Sequence, residues 1–379
     1  MIASGIDRIS SIDLLLKGRR VGLITSPTGL SADFRPTVDI LHERYRLAAL
    51  FSPEHGVRGD LDAGALVDSY TDAATGVPVY SLYRKDSKRL TADMLEAVDV
   101  VVYDIQDIGA RYYTFIYTML YALEDCARAG KPFVVLDRIN PLDGVTVEGN
   151  VLKDGYTSFV GNYPLAIRYA LTAGEVATMA NEESGWGAEL HVVRCSGWER
   201  TLRYSATGRV WVPPSMGIPR LDTALLYPGT CLFEGTNLSE GRGTTAPFEI
   251  IGAPFVDGER LARAMNGHRL PGVFFRPVSF KPSTSKHAGT FCKGVQVHVL
   301  DEAAVRPVAL GLTLLFTIRE LFAPFAFLPP VREGGRPFID LLCGDAILRD
   351  ENADPRSIIE TWEAESEQFA QRKSAYHLY

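Results

Sequence analysis

The polar residues best suited to chemistry cluster immediately after the most apolar segments of the chain. After Leu47–Phe51 the sequence runs Ser52-Pro53-Glu54-His55-Gly56-Val57-Arg58. After Asp99–Tyr103 it runs Asp104-Ile105-Gln106-Asp107-Ile108-Gly109-Ala110-Arg111-Tyr112-Tyr113-Thr114, and after Pro132–Leu136, Asp137-Arg138-Ile139-Asn140. A further block, Tyr227–Thr245, sets Glu234, Asn237, Glu240 and Arg242 among closely spaced glycines. Carboxylates exchange protons with a leaving oxygen or a water, and amides and arginine forks hold hydroxyls and carboxylates. The set suits acid–base chemistry on a hydroxyl-rich, acidic substrate without a cofactor, and glycoside cleavage needs nothing more. Glu54 stands out, because it follows an apolar strand between a proline and a histidine and has no helical neighbour to pair with. Asp107 and Tyr113, with Asp104 a further option, are the candidates for a second catalytic role. His55, Arg58, Asp104, Gln106, Arg111, Asp137, Arg138, Asn140, Glu234, Asn237, Glu240 and Arg242 are the candidates for binding. A purely structural use is open to several of them: Asp104 and Asp137 can cap turns, and Asp107 and Arg111 can pair locally.

These residues need a scaffold that brings them to one place. Arg20–Thr25, Leu47–Phe51, Pro78–Leu82, Asp99–Tyr103 and Pro132–Leu136 are short apolar runs ended by turn residues and read as strands. Pro36–Tyr45, Thr91–Ala97 and Thr114–Ala129 between them have helical spacing. The last carries a stripe of Phe115, Met119, Ala122 and Cys126 and stops at Gly130. Uniformly apolar strands alternating with amphipathic helices predict a doubly wound α/β domain with a parallel sheet. In such sheets ligands bind beyond the carboxyl ends of the strands, where the polar blocks fall.

Beyond residue 172 the pattern changes to α+β. Thr172 to Glu175 form a capping box opening a helix to about Glu183. Residues 186–225 read as short strands and loops, and Tyr227–Pro254 as a long ordered polar loop. Gly294–Leu300 reads as a strand, Arg306–Leu321 as a helix, and Asp354-Pro355 starts a helix to about Lys373. Two domains are expected, 1–226 and 227–379, sharing a large interface.

Composition narrows the function classes. The chain has 379 residues, with 39 Lys and Arg against 46 Asp and Glu, a formal charge of −7. No basic stripe is present, so a nucleic-acid partner is not expected. No apolar run approaches the roughly 20 residues of a membrane span. The N-terminus shows no basic-then-apolar leader, and the five cysteines never form a C-x-x-C pair. Both point to a cytoplasmic protein with reduced thiols, or to an exported one if a leader has been removed. The seven histidines lack metal-ligand spacing, so no metal is expected. A G-x-G-x-x-G after the first strand, a P-loop, a G-x-S-x-G elbow and an H-E-x-x-H are all absent, which disfavours the common nucleotide and hydrolase chemistries.

Four blocks also resemble a known family: Phe51–Gly59, Tyr103–Thr114, Leu136–Pro141 and Cys231–Thr244 look like the ordered motifs of the former DUF1343 family, whose characterised members are exo-β-N-acetylmuramidases. The resemblance implies a Rossmann-like N-terminal domain, a smaller C-terminal domain and a site in the cleft between them. It implies removal of N-acetylmuramic acid (MurNAc) from the non-reducing end of peptidoglycan fragments, as in cell-wall recycling, with no metal or nucleotide cofactor. Glu54 matches the family's leading catalytic position. The substrate's lactyl carboxylate needs a cation, for which Arg111, Arg138 and Arg242 are the candidates. A non-catalytic muropeptide-binding protein and another cell-wall glycosidase or amidase are the alternatives on residues alone.

Overall fold

The computed structural model describes residues 2–54, 56–59, 69–84 and 87–379. Its strands are β1 (Arg20–Thr25), β2 (Arg46–Ser52), β3 (Tyr70–Thr71), β4 (Pro78–Ser81), β5 (Val100–Asp104), β6 (Phe133–Leu136), β7 (Glu148–Val151), β8 (Ala166–Arg168), β9 (Leu190–Val193), β10 (Ile250–Ala253), β11 (Val273–Phe280) and β12 (Cys292–Val299). A seven-stranded sheet has the order β3-β4-β2-β1-β5-β6-β9. Only β3, at one edge, runs antiparallel to its neighbour. Setting β3 aside, the order is that of the doubly wound dinucleotide-binding folds.

Alternation along each strand splits the apolar residues between two faces. Val21, Leu23, Leu50, Val100, Val102 and Val134 face one side, where Ile6, Ile9 and Leu16 and the helix Thr37–Arg44 cover them. Ile24, Phe51, Val101, Tyr103, Phe133 and Val135 face the other, under the helices Phe115–Arg128 and Ala173–Glu183. The Thr172–Glu175 capping box is formed in full.

The core on that second face continues without a break into the C-terminal half, through Leu226, Phe233, Ile251, Leu312 and Trp362. The helix Leu221–Thr230 straddles the expected 226/227 boundary and crosses the helix Pro307–Leu321 at a pair of glycines. A Cβ on Gly229 would lie 1.8 Å from the Pro307 carbonyl oxygen, and one on Gly311 would lie 2.4 Å from that of Gly229. The antiparallel sheet β10-β12-β11, packed on the helix Gly258–Gly267, builds the far wall of the molecule. The C-terminal helix Pro355–Lys373 packs on the β7-β8 pair. Among the described residues no helix is long and apolar enough to cross a membrane.

One expectation needs correction, and other elements go beyond those expected. Tyr227–Pro254 is not one long loop: it holds the end of the helix Leu221–Thr230, a 3₁₀ turn at Cys231–Gly235, and β10. Pro228 and the glycines mimic a loop, yet the segment is almost wholly buried and tertiary packing keeps it ordered. Within 186–225, expected to hold short strands and loops, β9 is one such strand and forms the far edge of the main sheet. The strand β11 and the helices Gly258–Gly267 and Phe338–Cys343 add elements that the hydrophobic patterns did not announce.

Candidate active site

The chain turns out of β2 through Pro53, and this turn sets Glu54 on the wall of a cavity of about 1200 Å³. The cavity is bounded by β-strand ends of the first sheet on one side and by β11, β12 and the 242–250 and 281–285 segments on the other. Thr114, the residue before the helix Phe115–Arg128, donates its hydroxyl to Glu54 Oε2 at 3.1 Å. The carboxylate therefore sits at the positive end of that helix dipole. Tyr83, after β4, flanks it; burial first, then the charge and hydrogen bonding of Glu54, push the phenol pKa up. The Lys88 ammonium lies 3.2 Å from the Tyr83 ring centroid, and burial pulls its pKa down against the attraction of Glu54. Phe159 meets the Tyr83 ring at 5.8 Å, giving the cavity an aromatic corner beside the carboxylate.

Tyr113, Tyr227 and Phe248 continue the wall as an edge-to-face chain with centroids 5.8 and 4.7 Å apart. The Tyr113 hydroxyl is buried and makes no hydrogen bond of normal geometry. Burial raises its pKa, Ser215 acts in the opposite sense, and the charges of Asp107 and Glu54 raise it further. It remains a protonated donor at the cavity surface. Glu234 also lines the cavity, but its Oε1 accepts from Arg242 Nε at 2.7 Å, and Arg242 lies over the Phe248 ring. Gly243, at φ 76°, brings this segment against Thr284: a Cβ there would come within 2.5 Å of the Thr284 amide nitrogen.

Of the residues expected at the site, Glu54, Tyr113, Glu234 and Arg242 line this cavity. The others are placed elsewhere. Asp104 and Arg138 form a bidentate ion pair at 2.6 and 2.9 Å, inside the crevice where the strand order reverses. Thr37 also donates to Asp104, and Arg138 reaches the Leu30 carbonyl, so protein fills the space a nucleotide takes in related folds. Asp137 accepts from the Thr172 and Tyr379 hydroxyls and the Gly174 amide, and burial pushes its pKa up to about 6. Arg111 is wholly buried and donates to the carbonyls of Asn150, Leu165, Leu342 and Cys343, tying the two halves of the chain together.

Gln106 donates to the carbonyls of Asp107 and Ile139, and Asn140 to that of Leu171. Arg58 pairs with Asp72 and Asp39, Asn237 braces the Pro324–Ala326 turn, and Glu240 pairs with Lys286 at 2.8 Å. His55 lies outside the described residues. The residues that sequence reasoning missed include Tyr83, Phe159, Ser215, Arg276, Ser279, Lys281 and Gln296. They are scattered singly along the chain, and only the fold collects them.

Asp107 lies behind the cavity wall. It accepts from the Tyr169 hydroxyl and the Gly109 amide, while its Oδ1 is buried with no partner. Burial pushes its pKa up to about 6, and the hydrogen bonds from Tyr169 and Gly109 only partly oppose this. Folded Asp107 then holds a proton that the unfolded chain releases near pH 4, so its contribution to stability falls as pH rises from about 4 to about 6, in parallel with that of Asp137. Asp107→Asn should make that decline shallower, leaving the part due to Asp137. Urea unfolding midpoints at pH 4.0, 5.0, 6.0 and 7.0 check it: an equally steep decline in the variant would show that Asp107 is not its source.

A Rossmann-like sheet whose dinucleotide crevice is filled, with a carboxylate-bearing cavity displaced toward a second α+β domain, defines the class. Residues 21–222 match the N-terminal family model described as exo-beta-N-acetylmuramidase NamZ, and residues 225–379 match the C-terminal one. The chain belongs to the exo-β-N-acetylmuramidase NamZ family. It is 45% identical over 370 residues to the peptidoglycan beta-N-acetylmuramidase NamZ of Bacillus subtilis (strain 168), an alignment covering 96% of this chain and 88% of that protein. Crystal structures of two DUF1343 family proteins from Bacteroides fragilis NCTC 9343 each match 100% of this chain and 99% of their own. Their identities are 37% and 27%, with TM-scores of 0.89 and 0.77.

Proposed function

We propose that this chain is a glycoside hydrolase that releases MurNAc from the non-reducing end of peptidoglycan fragments, with Glu54 as its proton-transfer group. The observation that carries the assignment is the state of the cavity's two described carboxylates: Glu234 is spent on Arg242, whereas among the described residues Glu54 makes no ion pair, meeting the Thr114 and Tyr83 hydroxyls with the Lys88 ammonium farther off. A carboxyl held this way can protonate the glycosidic oxygen as the bond to the anomeric carbon breaks, or take a proton from the attacking water. Tyr113 lines the same cavity with its hydroxyl buried beside Ser215, and the Tyr83–Phe159 corner adds aromatic surface beside the carboxylate. The family and the 45% identical relative support the substrate class.

Mass-spectrometric digestion of MurNAc-β-1,4-GlcNAc and GlcNAc-β-1,4-MurNAc tests the reading. Free MurNAc is expected from the first disaccharide alone. Cleavage of the second, or binding of both without cleavage, would overturn it.

A further inference from the structure

Three cationic side chains line the cavity among the described residues: Arg242, Arg276 and Lys281. Arg242 is neutralised, with Glu234 at 2.7 Å and Glu240 at 3.6 Å. Arg111 and Arg138, expected together with Arg242 to meet a substrate carboxylate, are buried in the scaffold and bonded to it. Arg276 and Lys281 differ from all of these. Neither has a carboxylate within ion-pair distance among the described residues. Their contacts are neutral: Arg276 Nη2 donates to Gln296 Oε1 at 2.7 Å and its Nε to His298 Nε2 at 3.3 Å, while Lys281 lies 5.4 Å from the Phe291 ring centroid.

The placement is specific. β11 is the edge strand of the antiparallel sheet, and Arg276, Val278 and Phe280 alternate onto the face that lines the cavity. Gln296 on β12 lies directly opposite Arg276 in the register, so its amide oxygen holds the guanidinium from the side. The guanidinium is thus steadied by acceptors that leave its charge intact. In a chain of net charge −7, two cations without an acidic partner in one cavity wall, facing the domain that carries Glu54, leave a charge to be met from outside. A planar fork is the geometry that takes a carboxylate, and a lysine adds a mobile second charge.

Resting on the glycosidase reading above, we infer that Arg276 and Lys281 form the subsite for the carboxylate on the 3-O-substituent of the non-reducing sugar. This pair would discriminate an acid-bearing amino sugar from its neutral counterpart. The carboxylate has two sources, the free lactyl group or, where that group is amidated, the peptide attached to it.

Calorimetric titration of wild type, Arg276→Gln and Lys281→Gln with free MurNAc, MurNAc-L-Ala-D-Glu and GlcNAc tests this without requiring turnover. Both positions are solvent-exposed strand or turn residues, and matching thermal melts would confirm that the variants fold. Arg276→Gln is expected to weaken an acidic ligand by about 10- to 100-fold and Lys281→Gln by less, with GlcNAc affinity unchanged. Loss confined to MurNAc names the lactyl carboxylate, and loss confined to the peptide-bearing ligand names the peptide. Equal weakening of GlcNAc, or no weakening of either acid, would overturn the assignment. If wild type binds MurNAc in this charge-dependent way but cleaves neither disaccharide, the hydrolase reading fails and the subsite stands.

Discussion

Glu54→Gln should lower turnover of MurNAc-β-1,4-GlcNAc by at least about a hundredfold while binding changes by less than about threefold. The amide keeps the shape of the carboxyl and can still meet the Thr114 hydroxyl, now through its oxygen, so the wall of the cavity is preserved. What it cannot do is give or take a proton. A kcat loss without a KM change therefore isolates proton transfer, since ground-state contacts survive. Glu234→Gln is the built-in comparison. That residue is in the same cavity but engaged with Arg242, so its loss should disturb binding through the freed guanidinium more than it slows the bond-breaking step. Near-normal turnover by a folded Glu54→Gln protein, or a larger kcat loss in Glu234→Gln, would move the proton-transfer role off Glu54.

The first sheet was readable because each of its main strands is buried on both faces and announces itself as an unbroken apolar run with a turn behind it. The same logic failed for β11. It is half exposed, carries Arg276 and Ser279 among its apolar residues, and holds Pro277, which a central strand would not tolerate but an edge strand does. That strand supplies much of the far cavity wall, so the half of the site contributed by the second domain was the half least visible in the sequence. On the first domain the difficulty was different. Glu54, Asp104 and Asp137 all follow apolar strands and look equivalent in one dimension. Which of them faces the cavity is decided by partners far along the chain: Arg138, 34 residues beyond Asp104, and Tyr379, 242 residues beyond Asp137. Arg111, whose acceptors at Leu342 and Cys343 lie more than 230 residues away, is as invisible for the same reason.

The Asp104–Arg138 pair tests whether such a residue belongs to the scaffold or to the site. Arg138→Met should destabilise the protein by about 3–5 kcal/mol, because it leaves the Asp104 carboxylate buried with Thr37 but without its counter-charge. Asp104 is fully buried and cannot reach water to recover the lost solvation. The Leu30 carbonyl also loses its donor, which loosens the turn after β1. Replacing both partners, Asp104→Leu with Arg138→Met, removes the stranded charge and should restore most of the stability. The substrate readout separates the two roles. If the pair is scaffold, the Arg138→Met protein that remains folded at low temperature should keep its MurNAc affinity within about threefold, because Arg138 does not line the cavity. A variant with an unchanged melting curve and abolished MurNAc binding would instead put the guanidinium on the substrate, and the filled crevice between β1 and β5 would have to open for that to happen.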